Sequence, residues 1–176
     1  MRRQSSQYIE LSWVKITLSL LLLCILALIG FSIYLYSSIE SNRTRDFKFT
    51  EARLEEQLSL DQIITLSRYH GTIYYHVAVV KTIEQEQLIV FINQDDPEAD
   101  LVVFDQEELV TEDEIMTLWR SQTSYQELYH TQYGLRNQTP LLEIVYLDQD
   151  KRLSYDYYRL DDGSFDSGIS FAHDTY

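Results

Sequence analysis

Thr111-Glu112-Asp113-Glu114-Ile115-Met116-Thr117-Leu118-Trp119, followed by Tyr125-Gln126-Glu127-Leu128-Tyr129-His130-Thr131-Gln132-Tyr133, is the stretch that decides the fold. Thr111 can cap a helix, and Glu114 three residues later completes a capping box. Ile115, Leu118 and Trp119 then recur at helical spacing, which predicts one amphipathic helix. After Ser124 the pattern changes to short β-rich runs: Tyr125 to Tyr133, Leu141 to Leu147, Leu153 to Leu160 and Phe165 to Phe171. Their expected turns are Gly134 to Pro140, Asp148-Gln149-Asp150 and Asp161-Asp162-Gly163. One helix followed by strands in tight hairpins predicts a helix laid across a small antiparallel sheet, an α+β arrangement.

Upstream the same order occurs once already. From Thr50 to about Leu60, Ala52, Leu54 and Leu58 suggest one helical face that continues up from the segment before it. Strands are then expected at Gln62 to Tyr69, Thr72 to Thr82, Gln87 to Asn93 and Leu101 to Asp105. Gly71, Glu84-Gln85-Glu86 and Asp95-Asp96-Pro97 separate them. Thr50-Glu51 and Thr111-Glu112 stand about sixty residues apart, so the chain repeats one supersecondary unit. No Gly/Ser- or Pro-rich stretch intervenes, and two lobes packed on each other are expected.

Further out lies an apolar run without a charged residue from Ile16 to Tyr36. As a helix it spans roughly 30 Å, the thickness of a bilayer core. Trp13 at one edge and Tyr34 and Tyr36 at the other form interfacial belts. No small-x-small cleavage pattern follows, so the run reads as an uncleaved signal anchor. The expected organisation is a cytoplasmic tail over 1–15, a transmembrane helix over 16–36, a first lobe over 37–109 and a second over 110–176. The flanking basic residues Arg2, Arg3 and Lys15 nearly balance Arg43, Arg45 and Lys48. Orientation therefore rests on architecture: a cell-membrane protein with its N-terminus cytoplasmic and its C-terminal domain extracellular.

Of 176 residues, 14 are Lys or Arg and 28 Asp or Glu. Setting aside Arg2, Arg3, Lys15 and Glu10 before the helix leaves 11 basic and 27 acidic residues, a net charge of −16. Such a field repels nucleic acid, so no nucleic-acid partner is expected. Cys24, the single cysteine, lies in the apolar run, so the exported part carries no disulfide.

Several segments also carry a family resemblance. Val110-Thr111-Glu112-Asp113-Glu114-Ile115, Glu143-Ile144-Val145-Tyr146 and Leu160-Asp161-Asp162-Gly163-Ser164-Phe165 together resemble a PepSY-type domain. Tyr74-Tyr75-His76-Val77 leads into Leu88-Ile89-Val90-Phe91-Ile92 in the shorter first unit. One membrane helix, this unit and a PepSY-like unit, in that order, resemble the TseB-like (YpmB-like) proteins of Gram-positive bacteria. Leu142, Val79 and Asn93-Gln94 depart from the family pattern. The resemblance implies two PepSY/cystatin-like lobes. It also implies a role in regulating cell-wall (peptidoglycan) elongation beside a penicillin-binding protein, without enzymatic activity.

The residues themselves carry little catalytic pattern. His70, His76, His130 and His173 lack paired metal-ligand spacing, and neither a nucleophile elbow nor a phosphate loop is present. Catalytic, cofactor and metal residues are all expected to be none. The acidic turns read as hairpin chemistry, with weak cation binding as the alternative. Tyr125, Tyr129 and Tyr133 share a face if their segment is a regular strand, and so do Tyr155 and Tyr157. Such a face can bind peptide or glycan or meet a partner, or its rings can simply edge a thin core. Two further functions compete with wall regulation. One is an envelope accessory or inhibitor of a protease or transporter, the other a carboxylate-dependent wall-glycan enzyme.

Overall fold

In the computed structural model, residues 13–44 and 47–172 are described. By contacts the chain divides into two compact units, Met1–Asp46 and Phe47–Tyr176.

Helix α1 (Trp13–Thr44) makes up the described part of the first unit. Its Lys15–Tyr36 segment has a mean hydropathy of 2.7, with none of it buried by protein. Twenty-two residues rise about 33 Å, long and apolar enough to cross a membrane. The hydroxyls of Thr17 and Ser32 donate to the carbonyls of Trp13 and Leu28 one turn back, at 3.0 and 2.8 Å. Both polar groups are therefore satisfied within the helix itself.

The second unit runs α2 (Phe47–Gln57), β1 (Leu60–His70), β2 (Tyr74–Thr82), β3 (Gln87–Asn93), β4 (Val102–Asp105), a single 3₁₀ turn, α3 (Glu112–Gln122), β5 (Tyr125–Arg136), β6 (Thr139–Asp148), β7 (Leu153–Arg159) and β8 (Phe165–Phe171). The strands form two four-stranded sheets, β1-β2-β3-β4 and β5-β6-β7-β8, with every neighbouring pair antiparallel. This is the α+β architecture expected from the helix-then-strands repeat.

The two central strands of the first sheet are covered on both faces. Tyr75 and Val77 on β2, with Ile89 and Phe91 on β3, point into one core. The alternate residues Ala78, Val80, Val90 and Ile92 point into a second core beneath Leu54 of α2. The first core continues through Ile115, Met116 and Trp119 of α3 to Leu142, Ile144 and Tyr146 of β6 and Tyr158 of β7. The two sheets thus share one apolar interior.

Three local details correct the expected pattern. On α2, Thr50 and Leu54 are buried and Leu58 packs beside them, whereas Ala52 is exposed. Spacing by four keeps one face at 100° per residue, while a step of two turns Ala52 away. On α3 the third buried residue is Met116, and Leu118 is exposed, because the buried stripe centres between Ile115/Trp119 and Met116. Between β5 and β6 the turn is only Asn137-Gln138, both at positive φ (49° and 65°), as a two-residue type I′ hairpin requires. Gly134 lies inside β5 because the Tyr69 ring packs over it. A Cβ there would come within 2.5 Å of that ring.

The capping box forms as expected. The Glu114 amide donates to Thr111 Oγ1 at 3.3 Å, and the Thr111 amide donates to Glu114 Oε2 at 3.0 Å. The Thr111 hydroxyl and amide together hold the Glu114 carboxyl below its usual range.

Candidate functional site

Of the β5 tyrosines, Tyr125 and Tyr133 share the core-facing side of the strand, and Tyr129 leaves it. Pairing with β6 shifts register between Tyr125 and Glu127, and again between Leu128 and His130. Each bulge inserts one residue and reverses the alternation that follows, so the two together return Tyr133 to the side of Tyr125. Tyr125 turns onto Trp119, with ring centroids 4.8 Å apart, and Tyr133 packs against the shared core. Burial, and next the nearby Glu112, push the Tyr133 phenol up. Tyr129 falls in the second bulge and is 47% exposed.

Tyr155 and Tyr157 do share a face, on the side of the second sheet away from Trp119. Cross-strand register places Gln132, Glu143, Tyr157 and Ser167 in one row, and His130, Val145, Tyr155 and Ile169 in the next. Glu143 is only 5% exposed. Its carboxylate accepts from Gln132 Nε2 at 2.5 Å and from the Tyr157 hydroxyl. A buried carboxylate of this kind is tolerated because donors on both sides replace its water. The Arg136 guanidinium sits 4.6 Å from the Tyr157 ring centroid, and its Nη1 donates to Asp166 at 2.7 Å and Ser167 at 2.8 Å. Burial, followed by the Glu143 hydrogen bond, raises the Tyr157 phenol well above its ordinary value. Tyr69 is raised by burial and then by Glu143. This row is therefore a fastened junction where Tyr69 of the first sheet meets the second.

The open part of the face lies one row along. The Tyr155 ring meets Phe171 edge-on at 5.9 Å, and Phe171 and Ile169 are about half exposed. These two apolar residues were not among the expected site residues. Their alternation with Gly168 and Ser170 is the sequence signal that marks them. Tyr155, Ile169 and Phe171 form an apolar, aromatic patch suited to contact with another macromolecule.

His70, His76 and the acidic turns are built into structure. His76 is fully buried, its Nδ1 2.6 Å from Thr50 Oγ1 and its Nε2 3.0 Å from the Tyr74 hydroxyl. His70 stacks on Tyr74 at 4.3 Å, His130 is exposed on β5, and His173 lies outside the described residues. Among the described residues no group of three or more His, Cys, Asp or Glu side chains is placed to hold a metal ion. Asp148 accepts from the amides of Asp150 and Arg152 at 2.9 Å each and from Arg152 Nε at 2.7 Å. Burial opposes ionisation of Asp148, but these Arg152 and Asp150 hydrogen bonds outweigh it and hold the carboxyl below its usual range. Asp161 takes Arg159 Nε at 3.0 Å, and Asp162 takes the Ser164 amide at 2.9 Å, with Gly163 at φ 72°. The acidic residues thus serve as turn acceptors and arginine partners.

No family model and no curated protein matches the chain. Among solved structures, the YpmB protein from Bacillus subtilis is similar, with a TM-score of 0.63 and 17% sequence identity. The match covers 70% of this chain and 95% of that one. At that identity the likeness speaks to fold, and the fold of this chain is YpmB-like.

Proposed function

We propose that the chain is a non-enzymatic, membrane-anchored interaction module. In this reading α1 is a single-pass anchor with a cytoplasmic N-terminus, and Phe47–Tyr176 lies outside the cell. There it regulates peptidoglycan elongation by contact with a membrane-bound penicillin-binding protein. The observation that carries the reading is one membrane-length helix joined to a compact unit of YpmB-like fold. The TseB-like order of segments in the sequence supports the wall-synthesis part. So does the net charge of −16 after the helix, which favours a basic partner surface over anionic wall polymers.

Two experiments divide the proposal into parts. Protease added to wall-stripped cells should degrade the second unit and leave a protected fragment containing α1. Full protection with an intact membrane would reverse the orientation. Co-purification of the full chain in mild detergent should then recover a penicillin-binding protein. Recovery of a protease or transporter in its place would favour the accessory-inhibitor reading.

A further inference from the structure

We propose that β8 pairs edge to edge with β8 of a second copy of this chain, joining two β5–β8 sheets into one continuous sheet. The inference begins with a comparison of the free edges. β8 closes its sheet and is hydrogen-bonded to β7 alone. The first sheet ends at β1, which carries two register shifts, and at β4, which has four residues. The other end of the second sheet, β5, also carries two shifts. Short or bulged strands are poor templates for a further strand, and natural proteins use such devices to block edge pairing. β8 lacks them over its last five residues. From Ser167 to Phe171 its register with β7 is unbroken, and the run Ser-Gly-Ile-Ser-Phe contains neither charge nor proline.

The composition of the edge narrows the occupant. Around this edge several acids already face arginines, and Asp156, opposite Gly168, takes the Trp119 indole. Asp166 pairs with Arg136 at 2.7 Å, Asp161 with Arg159 at 2.5 Å, and Asp148 and Asp150 with Arg152 at 2.7 and 3.3 Å. The uncharged edge itself offers no partner to a basic or an acidic segment. An uncharged strand with apolar residues at alternate positions fits best, and β8 is such a strand. Antiparallel pairing about a two-fold axis at Ser170 sets Ile169 of one copy opposite Phe171 of the other, and Gly168 opposite Ala172. Aromatic and β-branched residues make favourable cross-strand neighbours. The same register joins the two Tyr155–Ile169–Phe171 patches across the axis. Confinement to one membrane raises the effective concentration enough for a short edge to suffice.

The test uses the full chain in native membranes with Cys24→Ser as background. Ser170→Cys places one thiol on the two-fold axis, where opposed Cα atoms stand about 4.5–5.5 Å apart, within disulfide reach. Under a mild oxidant it should give roughly tenfold more disulfide-linked homodimer than Tyr129→Cys, an exposed control on the opposite edge strand. Adding Ile169→Lys, which places a charge on the edge, should abolish that dimer without changing the melting temperature. Dimer yields equal at Ser170 and Tyr129, or unaffected by Ile169→Lys, would overturn the proposal. A crosslink from Ser170→Cys to a different protein would overturn it too. Homodimer formation is read independently of any wall-synthesis partner.

Discussion

Replacing Trp119 removes the side chain on which the shared core turns. Trp119 is fully buried, with Tyr125 and Tyr146 ring centroids at 4.8 and 5.0 Å. Its indole N–H donates to Asp156 Oδ2 at 2.9 Å. Trp119→Ala loses the transfer energy of the ring and leaves a cavity, about 3–5 kcal/mol for a buried aromatic. Trp119→Phe keeps most of the packing but removes the indole donor, and a lost donor to a half-buried carboxyl acceptor costs about 1–3 kcal/mol. Asp156 retains a hydrogen bond from Tyr146. The loss is therefore expected near the lower end of that range, and Trp119→Phe combined with Tyr146→Phe should be worse than the sum of the single changes. For a unit of this size each kcal/mol moves the melting temperature by roughly 3–5 °C, so Trp119→Ala should lower it by about 9–25 °C. The assay is thermal unfolding of the full chain in mild detergent, followed by near-ultraviolet circular dichroism of the tyrosines. A drop of under about 3 °C for Trp119→Ala would refute the shared core, because no fully buried indole can be removed so cheaply.

Other perturbations test the junction and the turns. Gly134→Ala drives a methyl to within 2.5 Å of the Tyr69 ring and should cost about 1–3 kcal/mol in denaturant unfolding, whereas a wild-type midpoint would show that the ring yields freely. Burial, followed by Asp156, pushes the Tyr146 phenol from 10.0 to about 12, and Tyr69, Tyr75, Tyr133, Tyr157 and Tyr158 shift the same way. Because these folded-state values are raised, the stability they confer is complete below pH 10 and is lost as pH climbs through each raised folded value, about 12 for Tyr146. Tyrosinate absorbance from these rings should accordingly rise late, coincident with unfolding; their complete ionisation by pH 10 in the folded protein would contradict the burial pattern. Asp148 is shifted downward, so its contribution is present above pH 3.8 and fades as pH falls through its lower folded value. Asp148→Asn should remove part of the acid dependence between those limits, and an acid limb identical to wild type would assign that dependence to other carboxylates.

The hairpins were legible because short alternating strands and turn residues act locally. β3 and β8 begin and end where alternation predicts, and the Thr111–Glu114 box marks the start of α3. The sharing of one core by both sheets was harder to read, since an amphipathic strand does not say which surface will cover it. One clue was present: Leu88-Ile89-Val90-Phe91-Ile92 is an unbroken apolar run, as befits a strand covered on both faces. Gly134 reads locally as a turn, yet its reason is Tyr69, far away in sequence. The bulges in β5 leave no mark in its composition, and for that reason Tyr129 parts from Tyr125 and Tyr133 while Tyr155 and Tyr157 stay together.

The central claim is that the second unit acts by touching the wall-synthesis machinery outside the cell. Its most direct test is a photo-reactive residue placed singly at Tyr155, Phe171 or Tyr129 of the full chain in growing cells, with crosslinked proteins identified by mass spectrometry. The account predicts a penicillin-binding protein captured from Tyr155 or Phe171 in preference to Tyr129. Crosslinks to cytoplasmic proteins alone, or none to any wall synthase from the three positions, would contradict it.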